Sequence, residues 1–186
     1  MTQQELYESL DYVDHSREKR TQMANMVFSN PTIILPLLEV IKLTKDPISC
    51  KAAWILEVVA RKKLDSIFPY LDTFVEVLGQ VELESAVRPI AKVCELLTES
   101  YFSEENGLIK QQISDSHLEK MTSSCFDWLI GEHKVAAKAY SMTSLYLLGT
   151  KYSWIHPELK MVLEQSYSQG SAAYQARARM VLKKLK

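Results

Sequence analysis

Residues 47–62 read PISCKAAWILEVVARK. Asp46 precedes this segment as a good helix N-cap, and Pro47 takes the first helical position, where its missing N–H costs nothing. Apolar residues then recur on both sides of Trp54 with helical spacing. Small residues, which allow a neighbouring helix to approach closely, are interspersed among them: Ala52, Ala53 and Ala60. The segment therefore predicts an amphipathic helix that packs closely against other helices.

The same pattern returns three times along the chain. The aligned stretches begin at Cys50, Val87, Val135 and Tyr174, with successive offsets of 37, 48 and 39 residues. The long offset has a visible cause, because residues 102–112 form a polar stretch that reads as an inserted loop of about a dozen residues. Fixed periods of this size in paired amphipathic helices indicate a repeat array, in which each hairpin buries its apolar face against its neighbours.

Helix start and stop signals extend this pattern to about ten helices. Capping boxes are predicted at Thr2-x-x-Glu5 and Ser116-x-x-Glu119, and further N-caps at Asp14, Asp65 and Ser171. Left-handed C-caps are expected at the glycines that follow apolar periodic segments: Gly79, Gly131, Gly149 and Gly170. The predicted helices span 2–12, 16–28, 31–44, 47–62, 66–78, 85–101, 116–130, 134–148, 157–169 and 172–186. They form antiparallel pairs in a single domain, 1–186, with a polar inserted loop near 102–115.

The recurring hairpins resemble HEAT and armadillo repeats over nearly the whole chain. The resemblance rests on small residues of the second helices: Ala52, Ala53, Ala60, Ala86, Ala91, Ala136, Ala137, Ala139, Ala173, Ala176 and Ala178. It implies an all-α fold, a short right-handed α-solenoid of about five antiparallel helix pairs. A helix bundle and a tetratricopeptide array are the alternatives. Regular offsets favour stacking over a bundle, and they exceed the tetratricopeptide period of about 34 residues.

The composition is that of an ordinary globular protein. Of the 186 residues, 47% are apolar and 24% are charged, close to the usual averages. No apolar run approaches the roughly 18 residues that cross a bilayer, and the acidic N-terminal segment lacks the basic start of a secretory signal. Cys50, Cys94 and Cys125 lie singly in apolar helical stretches, which is typical of reduced core thiols. We therefore expect a cytoplasmic protein with no membrane association.

The sequence lacks the local motifs of metal, nucleotide and triad chemistry. Its four histidines have no partner at helical spacing, and neither a CxxC pair nor a glycine-rich phosphate loop is present, so no metal and no cofactor are predicted. Asp115-Ser116-His117 holds the residue types of a hydrolase triad, but consecutive residues at a helix start point in different directions. Glu95 and Glu99, one helical turn apart, are typical of a solvated helix face. No catalytic residue is predicted, which favours a non-enzymatic protein.

Two enzyme families are disfavoured by the residues present. Chains that resemble this one are sometimes labelled adenylosuccinate lyase, whose catalytic serine lies on a mobile serine-rich loop; Thr122-Ser123-Ser124, inside an amphipathic helix, does not match that loop. HEAT-like alkylpurine DNA glycosylases share the implied architecture and use aromatic and acidic residues on a cationic concave surface, where Trp54 is the best-placed aromatic. However, 22 Lys and Arg against 23 Asp and Glu give a net charge of −1, which disfavours binding through phosphate neutralisation.

The polar stripe of the second helices is the predicted binding surface, because these helices line the inner curve of stacked hairpins. The predicted binding residues on this concave face are Lys51, Trp54, Arg88, Lys92, Glu95 and Lys138. Stacked cations in such a stripe suit the carboxylates of an extended peptide, and an arginine can bind one through two parallel hydrogen bonds. We therefore predict a scaffold that binds a protein or peptide, with a nucleic-acid-directed protein as the alternative. An ordinary solvated helix face, with Trp54 in the core, is the competing interpretation.

Overall fold

The computed structural model of the chain describes residues 1–104 and 107–185, in which all regular structure is helical and no strand occurs. Eleven α-helices lie in these residues. Their bounds are α1 Gln3–Ser9, α2 Arg17–Ser29, α3 Ile34–Ile41, α4 Ile48–Lys62, α5 Leu71–Leu78, α6 Glu84–Phe102, α7 Gly107–Gln112, α8 Asp115–Ile130, α9 Val135–Leu148, α10 Ile155–Ser166 and α11 Ala172–Lys184. Short 3-10 segments at Pro31–Ile33, Leu64–Tyr70 and Tyr167–Gln169 precede α3, α5 and α11. The predicted all-α class is confirmed.

The helices contact one another in two series. Helices α2, α4, α6, α9 and α11, here called the second-helix row, touch in chain order, each packing on the next. Helices α1, α3, α5 and α8 likewise touch in chain order, and α10 packs against α9 and α11. Contacts between the two series join α3 to α4 and α8 to α9. The core therefore lies between these two series and along the second-helix row.

Small residues lie where helices of the second-helix row cross. Ala53, Ala91, Ala137 and Ala178, one from each of α4, α6, α9 and α11, are fully or almost fully buried. Because a methyl side chain adds little width, these positions let the helix backbones approach closely. Ala176 of α11, in contrast, is exposed.

Helix starts follow the predicted capping chemistry at some positions and shift at others. Thr2 caps α1 in a capping box with Glu5, and Ser171 caps α11. The predicted box at Ser116 is wrong: the N-cap of α8 is Ser114, two residues before the predicted cap, and His117 closes the box. The reason is that the His117 ring accepts a hydrogen bond from the Ser114 backbone N–H at 3.2 Å, a role that glutamate usually fills.

Two further predicted N-caps, Asp14 and Asp65, also need correction. Ser16 caps α2, while Asp14 accepts a hydrogen bond from the Ser16 backbone N–H at 2.8 Å and so supports the cap from outside the helix. Asp65 lies inside the 3-10 segment Leu64–Tyr70, which contains Pro69, and α5 starts only at Leu71. Proline disfavours helical geometry in the residue before it, which explains the delayed start.

The glycines end helices without the predicted left-handed geometry. Gly79, Gly131, Gly149 and Gly170 all have negative φ, and no described residue has positive φ. At Gly149 and Gly170 the glycine instead leaves room for an aromatic ring. A Cβ on Gly149 would overlap the imidazole ring of His156, and a Cβ on Gly170 would overlap the phenol ring of Tyr174. Glycine is needed there for close packing of a ring on the backbone.

The segment predicted as an inserted polar loop contains the short helix α7. Ile109 of α7 and Ile113 after it are buried in the core, because these two apolar residues stand among polar ones at helical spacing. Glu105 and Asn106 of the predicted loop lie outside the described residues. Within the described part of the chain no single helix is long and apolar enough to cross a membrane; α2 and Pro31–Ile41 satisfy that test only as a pair bent by 113°.

Candidate functional site

The six residues predicted to bind a partner all lie on the second-helix row, on α4, α6 and α9. Trp54, on α4, is half-buried, and its indole N–H donates a hydrogen bond to the Ser85 backbone carbonyl at 2.9 Å. The imidazole of His15 lies against the indole, with 4.7 Å between ring centroids and 41° between ring planes. Trp54 is therefore neither a core residue nor a free surface residue; one part of its ring is packed and another part borders a pocket.

Arg88 is held by a buried carboxylate. Glu57, only 5% exposed, accepts hydrogen bonds from two terminal nitrogens of Arg88, at 2.7 Å to Oε2 and 3.3 Å to Oε1. Arg61 donates to the same Oε1 atom at 2.8 and 3.0 Å. Two guanidinium groups thus compensate one buried carboxylate and join α4 to α6. The Arg88 side chain still keeps 35% of its surface exposed.

Lys92 and Glu95 are bound to each other instead of facing a partner. Glu95, 2% exposed, forms an ion pair with the Lys92 ammonium and receives a second cation, Arg177 of α11, at 3.4 Å. Arg177 also donates to the Thr143 hydroxyl at 2.9 Å. Burial raises the pKa of the neighbouring Glu99 carboxyl, and the charge of Glu95 adds to this effect. Of the two residues predicted on a solvated face, Glu95 is therefore buried and joins α6 to α11, whereas Glu99 is exposed.

Lys51 and Lys138 mark the two ends of the predicted surface. The Lys51 ammonium donates to the Asp11 backbone carbonyl at 2.6 Å and lies 3.7 Å from the Asp11 carboxylate. The Lys138 ammonium lies 5.9 Å from the centre of the Tyr174 ring and forms no ion pair with any described residue. Of the predicted residues, Trp54, Arg88 and Lys138 therefore remain able to contact a partner, while Lys51, Lys92 and Glu95 serve contacts within the chain.

A pocket of about 200 Å³ lies beside Trp54, and we call it the Trp54 pocket. It is lined by His15, Arg20, Trp54, Glu84, Ser85, Arg88 and Lys134. Arg20 donates only to backbone carbonyls, at 3.1 and 3.2 Å, and no ion pair to the Lys134 ammonium occurs in the described structure. The Glu84 carboxylate accepts a hydrogen bond from the Lys134 backbone N–H at 2.8 Å, and its other oxygen lies 2.9 Å from Nδ1 of the His133 imidazole.

The Trp54 pocket is cationic although the chain as a whole is slightly acidic. Arg20, Arg88 and Lys134 line it with one carboxylate, that of Glu84. Glu57 neutralises part of the Arg88 charge, but Arg61 shares that carboxylate. Four cations thus surround two carboxylates, and an anion entering the pocket would meet a net positive field beside an aromatic wall.

Sequence reasoning missed His15 and Arg20, whereas Lys134, at the start of the predicted helix 134–148, belongs to the polar stripe of the second helices. These residues come from the segment before α2, from α2 itself and from the residue before α9, more than 100 positions apart along the chain. No local spacing connects them, because only the packing of α2, α4, α6 and α9 brings them together.

The thiols and other possible ligand groups form no second centre. Cys50, Cys94 and Cys125 are buried and form no disulfide bond. Burial raises the pKa of the Cys94 thiol well above its usual range, and a hydrogen bond with Cys125 adds to the shift. Across residues 1–104 and 107–185, no three His, Cys, Asp or Glu side chains converge as a metal site would require.

Comparison with known proteins adds no family assignment. No family model, no curated protein and no solved structure matches the chain.

Proposed function

We propose that the chain is a short right-handed α-solenoid of the HEAT or armadillo type, with about five helix pairs. The order in which the helices contact one another supports this architecture, because successive members of the second-helix row pack on one another. The buried alanines support it as well, since α4, α6, α9 and α11 each contribute at least one of them. In this architecture the second-helix row forms the concave surface.

We further propose that this surface binds a protein or peptide and that the Trp54 pocket is its anchor site for an acidic group. The observation that carries the proposal is the cluster of Arg20, Arg88 and Lys134 around the half-buried ring of Trp54. A guanidinium group has five N–H donors, and Arg88 uses only two of its nitrogens on Glu57. It therefore keeps donors for a partner carboxylate, and Glu57 holds it in one orientation.

Electrostatics and size favour a carboxylate side chain over a larger anion. A pocket of about 200 Å³ accommodates one acidic side chain or a chain terminus and not a nucleotide. Each charge-assisted hydrogen bond to a desolvated carboxylate contributes about 1.5–3 kcal/mol. A peptide lying along the row would place one acidic residue in the pocket and the adjoining backbone across α6 and α9.

We also place the protein in the cytoplasm. Three buried cysteines that form no disulfide bond support a reducing compartment, because disulfides form and persist mainly in oxidising compartments.

A nucleic-acid-directed function is the second candidate, and the same pocket is the observation that favours it. An aromatic side chain among cations is the arrangement that the resemblance to HEAT-like alkylpurine DNA glycosylases implies. The net charge of −1 opposes it. Duplex binding that involves six to ten phosphates falls about 10³–10⁵-fold between 50 and 200 mM salt, whereas one carboxylate in a pocket depends on salt only weakly.

The test is an NMR titration that follows the Trp54 indole N–H resonance. Short peptides with a central Asp or Glu are added to the protein, and the matched Asn or Gln peptides serve as ligand controls. We expect the acidic peptides to shift this resonance and Lys134→Glu to abolish the shift. Lys183→Glu, which changes an exposed cation on α11 away from the pocket, is the matched protein control.

The outcomes separate the two functions. A shift caused by a DNA duplex, with a steep loss of affinity in salt, would favour the nucleic-acid-directed function. A shift caused equally by acidic and amide peptides, or no shift with any of these ligands, would reject the Trp54 pocket as a carboxylate anchor.

A further inference from the structure

A second, larger cavity lies away from the Trp54 pocket, along α8 and α10. It has a volume of about 810 Å³, and we call it the α8–α10 groove. One side is formed by Phe126, Leu129 and Ile130 near the end of α8, and the other by successive turns of α10. Lys138 of α9 also lines it, so that the groove and the second-helix row share one residue.

The groove presents large apolar side chains to solvent. Ile130 is 65% exposed, Trp154 is 55% exposed and Met161 is 45% exposed. The Trp154 indole stacks on the Phe126 ring, with 5.9 Å between centroids and 22° between planes, which holds the indole at the groove wall. Contiguous exposure of aromatic, branched and methionine side chains typically marks a binding surface, and methionine adapts readily to different partners.

The shape of the groove fits a helix. The residues of α10 that line it are Glu158, Met161, Val162, Gln165 and Ser166, which recur at the i, i+3, i+4, i+7 and i+8 spacing of one helix face. At 1.5 Å per residue this face is about 12 Å long, or a little more than two turns. A trough lined by one helix face on one side and by the end of another helix on the other accepts a third helix, whose side chains fit between theirs.

The charge of the groove selects a basic partner. Glu158 lies in the groove wall, and Asp127 lines an adjoining cavity of about 470 Å³ that shares Phe126 and Trp154 with it. Glu119 lines the same adjoining cavity. These three carboxylates form no ion pair with any residue that the structure describes, and Lys138 is the cation among the residues of the two cavities.

We propose that the α8–α10 groove binds an amphipathic helix from a partner protein, with apolar anchors that pack on Trp154 and Met161 and Lys or Arg side chains that flank them. The apolar face of such a helix would cover the exposed rings. Its flanking cations would pair with Asp127 and Glu158, which are exposed and form no ion pair within the described residues. This surface is separate from the Trp54 pocket, so the inference stands whether or not that pocket binds a carboxylate.

The test uses two synthetic peptides with the same leucine face, at i, i+3, i+4 and i+7, one flanked by Lys and one by Glu. Binding is measured by the fluorescence anisotropy of labelled peptide. We expect the Lys peptide to bind at least tenfold more tightly than the Glu peptide. Asp127→Lys combined with Glu158→Lys should reverse this order, because the flanking charges of the groove are inverted.

Matched variants distinguish the groove from general stickiness. Met161→Glu should abolish binding of the Lys peptide, whereas Met180→Glu, at a methionine of α11 that is 56% exposed and outside both cavities, should leave it unchanged. Circular dichroism confirms that each variant is folded. Equal affinity for the two peptides, or failure of both to bind, would overturn the proposal. So would a dimer of the free protein that Trp154→Ala dissociates, because the occupant would then be a second copy of this chain.

Discussion

Replacing Arg88 by methionine tests whether this residue holds the buried Glu57 carboxylate. Within the described structure, Oε1 of Glu57 receives hydrogen bonds from Arg61 and Arg88, but Oε2 receives one only from Arg88, at 2.7 Å. Arg88→Met therefore leaves one oxygen of a 5% exposed carboxylate without a donor. Methionine keeps most of the aliphatic stem, so that the loss of packing stays small.

The expected cost follows from this geometry. Breaking a buried ion pair by removing one partner costs about 3–5 kcal/mol when the remaining charge is left uncompensated. Arg61 still neutralises Glu57 in the variant, and the Arg88 side chain is one-third exposed, so the upper values do not apply. One lost hydrogen bond to a charged group costs about 1.5–3 kcal/mol. We therefore expect the free energy of unfolding to fall by about 2 kcal/mol.

The assay is urea unfolding followed by circular dichroism, in a double-mutant cycle with Glu57→Leu. In the Glu57→Leu background, Arg88→Met should cost less than about 0.5 kcal/mol, because the buried carboxylate is gone. Lys183→Met, at an exposed cation of α11, is the control and should change stability by less than about 0.5 kcal/mol. An equal loss from Arg88→Met with and without the carboxylate, or no loss in either background, would refute the assigned role of Arg88.

Three further predictions concern packing and charge. Trp54→Ala should lower the free energy of unfolding, measured in urea, by about 1–3 kcal/mol, less than the ~3–5 kcal/mol of a fully buried tryptophan. Gly149→Ala should destabilise by about 1–3 kcal/mol, because its Cβ would overlap a histidine ring. Gly79→Ala, at a negative φ with nothing within 4 Å of the new Cβ, should be neutral or stabilise by up to about 1 kcal/mol; both are measured by thermal unfolding. Hydrogen bonds from Lys151 and Tyr152 lower the pKa of the Asp115 carboxyl. Because the pKa of Asp115 is lower in the folded state than in the unfolded state, these hydrogen bonds stabilise the protein at pH values above the ordinary aspartate pKa. This stabilisation is lost as the pH falls through the folded-state pKa. Carbon-detected NMR should therefore find Asp115 titrating below pH 3.8, and Lys151→Met should move its pKa upward.

The helical class and most helix positions could be predicted from the sequence because their causes are local. A helix forms its hydrogen bonds between residues four apart, and the caps at Thr2 and Ser171 act within three residues. Predictions failed where a ring three to seven positions away took a role that the helix start and stop signals do not include. His117 replaced a glutamate as the partner of the α8 cap, and rings packed on Gly149 and Gly170 explained glycines that had suggested left-handed turns.

For the candidate site, the helical period determined which residues share a stripe, and all six predicted residues do lie on the second-helix row. The tertiary structure decided which of these six residues remain able to contact a partner. Arg177, 82 positions along the chain from Glu95, pairs with that carboxylate and helps bury it. His15, Arg20 and Lys134 reach Trp54 only because α2, α4, α6 and α9 pack in order. A sequence period sets the direction of each side chain around its own helix, whereas ion pairs and pockets depend on distances between helices, and these are set by packing.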